Sequence, residues 1–140
     1  MDDYTLGWLA ALIDGEGSVM LNTHEGNRVA RGERKHTSLR PVVVVSNNDR
    51  RLMDALVERT GIDRVYTHIR RNGPKERRRE IYTWRMGAAD IREHGPALLP
   101  HLVLKREQLT LLLEYLDEQI GPGHRHTAES RQRQLDIQTQ

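Results

Sequence analysis

The apolar positions of this chain change period several times, and each change marks an element. Leu6, Leu9, Ala10, Leu12 and Ile13 recur at helical spacing, which predicts a helix from Tyr4 to about Asp14. Gly15 and Gly17 are its stop signals. From Ser18 to His24 the period becomes two, with Val19, Leu21 and Thr23 on one side and Ser18, Met20, Asn22 and His24 on the other. Residues 25–37 are polar and Gly-containing, a loop or ragged hairpin tip. A second strand follows from Leu39 to Ser46, centred on the β-branched run PVVVVS.

The helical period returns in SNNDRRLMDALVERTG. Asn47, Asn48 or Asp49 can cap this helix, Leu52, Met53, Leu56 and Val57 form its apolar face, and Gly61 closes it. Arg64 to Arg71 reads as a third strand, NGPKERRR as a turn, and Glu80 to Met86 as a fourth strand. In that strand Tyr82, Trp84 and Met86 share one face, opposite Ile81, Thr83 and Arg85. A short helix is predicted over Ala88 to His94, and a longer one from about Leu102 to Ile120 with Leu109, Leu112, Leu113 and Leu116 as its stripe. Gly121-Pro122-Gly123 ends it. The polar remainder, 121–140, has no core stripe and is expected to be a flexible tail. The helix–strand–strand unit thus occurs twice before the last helices. Two hairpins with helices on one side make a two-layer α+β domain over residues 1–120, built on a four-stranded antiparallel sheet. The other face of that sheet is left free.

Composition narrows the class. At 140 residues the chain suits one domain with one modest core. The absence of cysteine excludes disulfides and thiolate metal sites. No apolar run reaches the length of a membrane span, and the N-terminus has no signal-peptide pattern. The expected location is therefore cytoplasmic, with no membrane partner, in a prokaryotic or phage host. The formal charge is only +2, but it is unevenly spread. Residues 1–24 carry Asp2, Asp3, Asp14 and Glu16 and no Lys or Arg, whereas the positive charge gathers in 25–51 and 64–85. Arg far outnumbers Lys, which favours forked contacts to phosphate and guanine. Solvated loops would give the same blocks.

One nine-residue stretch carries chemistry. LAALIDGEG, Leu9 to Gly17, resembles the signature of the LAGLIDADG homing endonucleases, and the order of elements is similar to that family's αββαββα core over about residues 4–120. From the residues alone, Gly7, Ala11 and Gly15 lie four apart on one helix face, a spacing that lets two backbones approach closely. Close packing on the chain's own sheet would also use them. The resemblance implies instead a homodimer in which two copies of this helix pack about a two-fold axis, with Gly7, Ala11 and Gly15 in the interface. It further implies that Glu16, at the eighth motif position, is the metal ligand, where most members have Asp. Two such carboxylates close together need a cation between them, and Mg²⁺ suits that oxygen-rich setting. Two or more Mg²⁺ ions at the dimer interface are expected, with the Gly15 carbonyl as a further ligand. Asp14 is read as stabilising the helix end or local backbone. The resemblance places two more residues, Lys105 in LVLKREQ near the scissile phosphate and Asn47 in VSNND near the attacking water. Alone, the first is also an ordinary solvated lysine and the second an ordinary helix cap.

A free sheet face fits the major groove, where each base pair shows a distinct pattern. Alternation from Glu16 puts Ser18, Met20, Asn22 and His24 on that face. Counting back from Asn47 adds Ser38 and Arg40, with Val42 and Val44 touching thymine methyls or packing. Tyr66, His68 and Arg70 come from the third strand, and Arg79, Ile81, Thr83 and Arg85 from the fourth. Arg28, Arg31, Arg50, Arg51 and Arg77 are assigned to phosphates, which position without specifying. The expected partner is double-stranded DNA, and the expected activity is Mg²⁺-dependent, site-specific cleavage of a long pseudo-palindrome. A DNA- or RNA-binding maturase or regulator that has lost cleavage is the alternative. His124 and His126, in the polar tail, read as solvent-exposed residues and not as a metal site.

Overall fold

The computed structural model describes residues 1–25, 37–69, 74 and 79–119. Its elements run in the order α1 (Asp3–Glu16), β1 (Gly17–Glu25), β2 (Thr37–Asn47), α2 (Arg50–Thr60), β3 (Val65–Ile69), β4 (Glu80–Met86), α3 (Ala88–Leu98), a 3-10 turn at Leu99–His101, and α4 (Arg106–Glu118). Arg28, Arg31, Arg70, Arg77 and the 121–140 tail lie outside the described residues, as do the side chains of His24 and Ser38.

The four strands form one antiparallel sheet in the order β1-β2-β4-β3, as the two-hairpin reading requires. Register settles which residues share a face. Val19 lies opposite Val43, which lies opposite Met86, while Val45 pairs with both Gly17 and Trp84. Val43, Val45, Trp84 and Met86 therefore face the helices, where they are buried with Leu9, Ala10 and Ile13 of α1, Met53 and Leu56 of α2, Ile91 and Leu98 of α3, and Leu109, Leu112 and Leu116 of α4. Trp84 is the largest side chain in this core, and its indole N–H donates to the Ile62 carbonyl at 2.9 Å, so its one polar atom is satisfied.

Local chemistry fixes the ends. The Asp2 carboxylate accepts from the Thr5 N–H at 2.8 Å to start α1. Asp49, one of the three candidate caps, starts α2 by accepting from the Arg51 N–H at 2.9 Å. Gly61 closes α2 with φ of 75°, a left-handed conformation that favours glycine.

Most strand boundaries shift by one or two residues from the sequence reading, and three helix boundaries shift in ways that bear on packing. Helix α1 runs on through Gly15 to Glu16 and ends at Gly17, so Glu16 is its last residue. Helix α3 passes Gly95 and Pro96 to reach Leu98, whose burial in the core offsets the local cost of proline. Helix α4 starts at Arg106, because the N–H groups of Val103, Leu104 and Lys105 are turned to another partner, Asp14.

Candidate active site and nucleic-acid face

The end of α1 is where the chemistry-bearing residues meet. Gly17 permits this arrangement: a Cβ there would stand 2.8 Å from the Ile13 Cα and 3.0 Å from the Val44 carbonyl oxygen. The helix therefore turns into β1 without a spacer, and Glu16 is carried to the edge of the sheet. Its side chain is exposed. The Asn47 amide, at the end of β2, donates to Glu16 Oε2 at a long 3.4 Å, which leaves most of the carboxylate's acceptor capacity unused. The Asn47 carbonyl oxygen accepts from the Asp49 N–H at 2.8 Å, which fixes the amide's orientation. Asn47 is therefore a turn residue beside Glu16 and not the helix cap, a place that Asp49 takes.

Asp14 does a different job. Its carboxylate accepts from the N–H of Val103 at 2.8 Å, of Leu104 at 3.1 Å and of Lys105 at 3.0 Å. It stabilises local backbone, but at the start of α4, not in its own helix. In return, the Lys105 ammonium donates to the carbonyls of Ile13 and Asp14, each at 3.0 Å. Lys105 is brought to the Glu16 end of α1, but two of its three N–H bonds are spent on backbone.

On α2, Arg51 folds back on Asp49, with Nη2 2.7 Å from Oδ2 and Nε 3.1 Å from Oδ1. These bonds hold the Asp49 carboxyl well down, at about 2, and push the Arg51 guanidinium up. Arg50 lies 3.9 Å from Asp54, one turn on, in a fully solvated pair. Both arginines remain exposed, with Arg51 the more committed to a partner.

The sheet face opposite the helices follows the expected alternation. Ser18, Val44 and Arg85 form one row, Met20 pairs with Val42, Asn22 with Arg40, and His24 with Ser38 in the backbone register. Tyr66 lies opposite Thr83, which lies opposite Ser46, and His68 lies opposite Ile81. Arg40, Tyr66, His68 and Arg79 are exposed, while Val42 is buried and packs within the face. The hydroxyls of Ser46 and Thr83 share a hydrogen bond of 2.9 Å. The Arg85 guanidinium sits 5.4 Å from the Tyr66 ring centroid, and its Nε is buried with no hydrogen-bond partner.

The outer face of α1 is bare. A Cβ at Gly15 would meet nothing within 4 Å, one at Gly7 only His101 Nδ1 at 3.9 Å, and Ala11 is exposed. Tyr4, Val103 and Leu104 are 74%, 79% and 72% exposed. The sequence reading missed this apolar set. Its period placed Val103 and Leu104 inside a helix, and nothing in the local sequence announces the distant carboxylate that holds them outside it.

The sequence matches no family model and no curated protein. The fold, however, has clear relatives among solved structures. An archaeal intron-encoded homing endonuclease, I-Vdi141I, complexed with DNA, superposes with a TM-score of 0.68 at 17% identity, over 99% of this chain and 82% of that one. The homing endonuclease I-CvuI, in complex with its target in the presence of 2 mM Ca, gives 0.62 at 16% identity, over 96% and 94%. The LAGLIDADG meganuclease I-CpaMI, bound to uncleaved DNA, gives 0.64 at 17% identity, over 94% of this chain but 42% of that one. The protein has the fold of the LAGLIDADG homing endonucleases, as its nine-residue motif implied. Among the described residues no helix is long and apolar enough to cross a membrane.

Proposed function

We propose that the protein is a site-specific endonuclease for double-stranded DNA, acting as a Mg²⁺-dependent homodimer on a long pseudo-palindromic site. The observation that carries this reading is the exposed Glu16 carboxylate at the tip of a helix whose Gly7–Ala11–Gly15 face is left bare. Among the described residues nothing requires glycine at positions 7 or 15, whereas close approach by a second copy does. Docking of that copy about a two-fold axis buries Tyr4, Val103 and Leu104 and brings the two Glu16 side chains together.

The donor set fits a hard divalent cation. Glu16 keeps most of its lone pairs free, and the Gly15 carbonyl offers a second oxygen at the same helix end. Asp14 is unsuited, because three N–H groups already occupy its carboxylate. Mg²⁺ takes one or two protein carboxylates, with waters and phosphate oxygens completing its shell. When bound there it supplies an activated water and a Lewis acid for phosphodiester hydrolysis. Asn47, oriented by the Asp49 N–H, holds solvent beside Glu16, and Lys105 adds positive charge at the same helix end. Fork-shaped and polar side chains on the free sheet face, Asn22, Arg40, His68, Thr83 and Arg85 among them, read base edges in the major groove. Arg28, Arg31, Arg50, Arg51 and Arg77 bind phosphates.

A library of DNA duplexes incubated with Mg²⁺ tests the reading, with wild type set against Glu16→Gln. Cutting by wild type, and retained binding without cutting by the variant, is the expected result. Sequence-specific binding with no cleavage by wild type would overturn it in favour of a binding protein of the same fold.

A further inference from the structure

The contact between the two ends of the described chain is unusual in being reciprocal. Asp14, in the last turn of α1, gives its carboxylate to three N–H groups at the start of α4. Lys105, at the start of α4, gives its ammonium to two carbonyls in the last turn of α1. The Asp14 carboxylate gathers the N–H groups of the segment that leads into α4, and the Lys105 ammonium adds a donor to two of the last carbonyls of α1. Each charge also has the sign its helix end favours: an anion at an N-terminus, a cation at a C-terminus. Lys105, which precedes Arg106, gives α4 no side-chain cap, and its own N–H is held by Asp14 from across the fold.

We infer that Asp14 and Lys105 form a two-way clamp whose function is to position Glu16, and that Lys105 acts through the backbone of α1 and not by touching the phosphate. Glu16 lies two residues after Asp14, the last residue the clamp holds, and directly before the tight turn at Gly17. Its place is therefore set by whatever holds the Ile13 and Asp14 carbonyls. The last turn of α1 is also held by the buried Ile13 side chain and by the Gly17 N–H on the Ile13 carbonyl, whereas Gly15 adds no side-chain packing among the described residues. The ammonium has one N–H left after its two backbone bonds, and the chain around it is tied down by Asp14. A lysine held in this way cannot swing to follow a substrate without releasing the helix end. The placement of Lys105 rests on the structure alone; its effect on cutting rests on the proposed function.

Two measurements test the clamp. The first needs neither DNA nor metal. The chain has three lysines, Lys35, Lys75 and Lys105, so ¹⁵N-detected ammonium spectra are simple. Lys105 is expected to give a resolved ammonium signal that exchanges slowly with water, and to lose that protection in Asp14→Asn. A Lys105 signal that exchanges as fast as the other two in wild type overturns the clamp, whatever the protein does to DNA. The second is a double-mutant cycle of Asp14→Asn and Lys105→Met in single-turnover cleavage at saturating duplex. Misplacing Glu16 should slow either single variant roughly 10- to 100-fold, with duplex affinity unchanged. The double variant should be no slower than the slower single, because both act through one contact. Losses that multiply in the double variant, or a loss confined to Lys105→Met, would instead give Lys105 an independent, direct role. A wild type that cuts nothing removes the proposed function and leaves the ammonium spectra to decide the clamp.

Discussion

Gly15 and Gly17 are two positions apart and answer to different neighbours. Gly17 is demanded by its own fold, since a methyl group there runs into the Ile13 and Val44 backbones. Gly17→Ala is expected to destabilise the protein by roughly 1–3 kcal/mol in urea titration. Gly15 faces open space, so Gly15→Ala should leave the isolated chain as stable as wild type or slightly more so, by up to about 1 kcal/mol. The same change should weaken self-association, which sedimentation measures. If Gly15→Ala destabilises the chain and leaves its oligomeric state untouched, the bare face has some other role. Arg85 is the other residue whose surroundings are unfinished. A buried donor without an acceptor costs free energy that a base edge can recover. Arg85→Ala is expected to relax preference at particular base pairs in a site-selection experiment, by about 1–3 kcal/mol each. Arg77→Ala should weaken binding evenly across sequences and lessen its salt dependence. A shift of base preference in Arg77→Ala would contradict the division between base readers and phosphate contacts.

Among the elements, α2 carries the clearest dependence on pH. Asp49 caps it and is clasped by Arg51, first by the side-chain bonds and then by the backbone N–H, which lower its carboxyl from 3.8 to about 2. A carboxylate more acidic in the folded state than in the unfolded one stabilises the fold above its unfolded value. That contribution fades as pH falls through the folded one. The gap in thermal midpoint between wild type and Asp49→Ala should thus be constant above about pH 5 and close between about pH 4 and pH 2. A gap that persists to pH 2 would mean that neutral contacts of Asp49 do the capping. How legible each element was follows from the range of the forces that end it. Strand β4 was read to the residue, because alternation and its flanking turn are local signals. The start of α4 was misplaced by four residues, because its first N–H groups are taken by an acid 89 to 91 positions upstream. Helix α3 was cut short at Gly95-Pro96, where the local signal for a stop was sound and the burial of Leu98 overrode it.

For the whole molecule, the two-layer architecture and the division of residues between sheet faces were legible from period alone. That Asn47 and Glu16 belong near one another was implied by the family resemblance and not by period, and the structure brings the two side chains within 3.4 Å. The exposed set around Tyr4, Val103 and Leu104 was not legible, since only the folded chain leaves it uncovered. That set bears on size: light scattering should give a dimer, and Gly15→Leu should give a monomer that still folds but no longer cuts. A wild-type monomer on DNA would remove the two-acid site. Charge distribution adds a further expectation. With no Lys or Arg in residues 1–24 and arginines concentrated in the middle of the chain, the net charge of +2 is expected to understate the attraction to phosphate. Binding should fall steeply with added salt, several decades between 50 and 200 mM if roughly six to ten phosphates are contacted.

The hold that Asp14 has on the approach to α4 also has a consequence in time. The segment Val103–Lys105 cannot be secured until residues about 90 positions apart have met. Contacts of such long range are expected to form late in folding. During synthesis, the end of α1 is made long before the segment that will secure it. The end of α1, with Glu16 on it, gains these contacts only when the chain that follows has passed through two hairpins and come back, so a partly made protein has the acid without the contacts that hold the helix end before it.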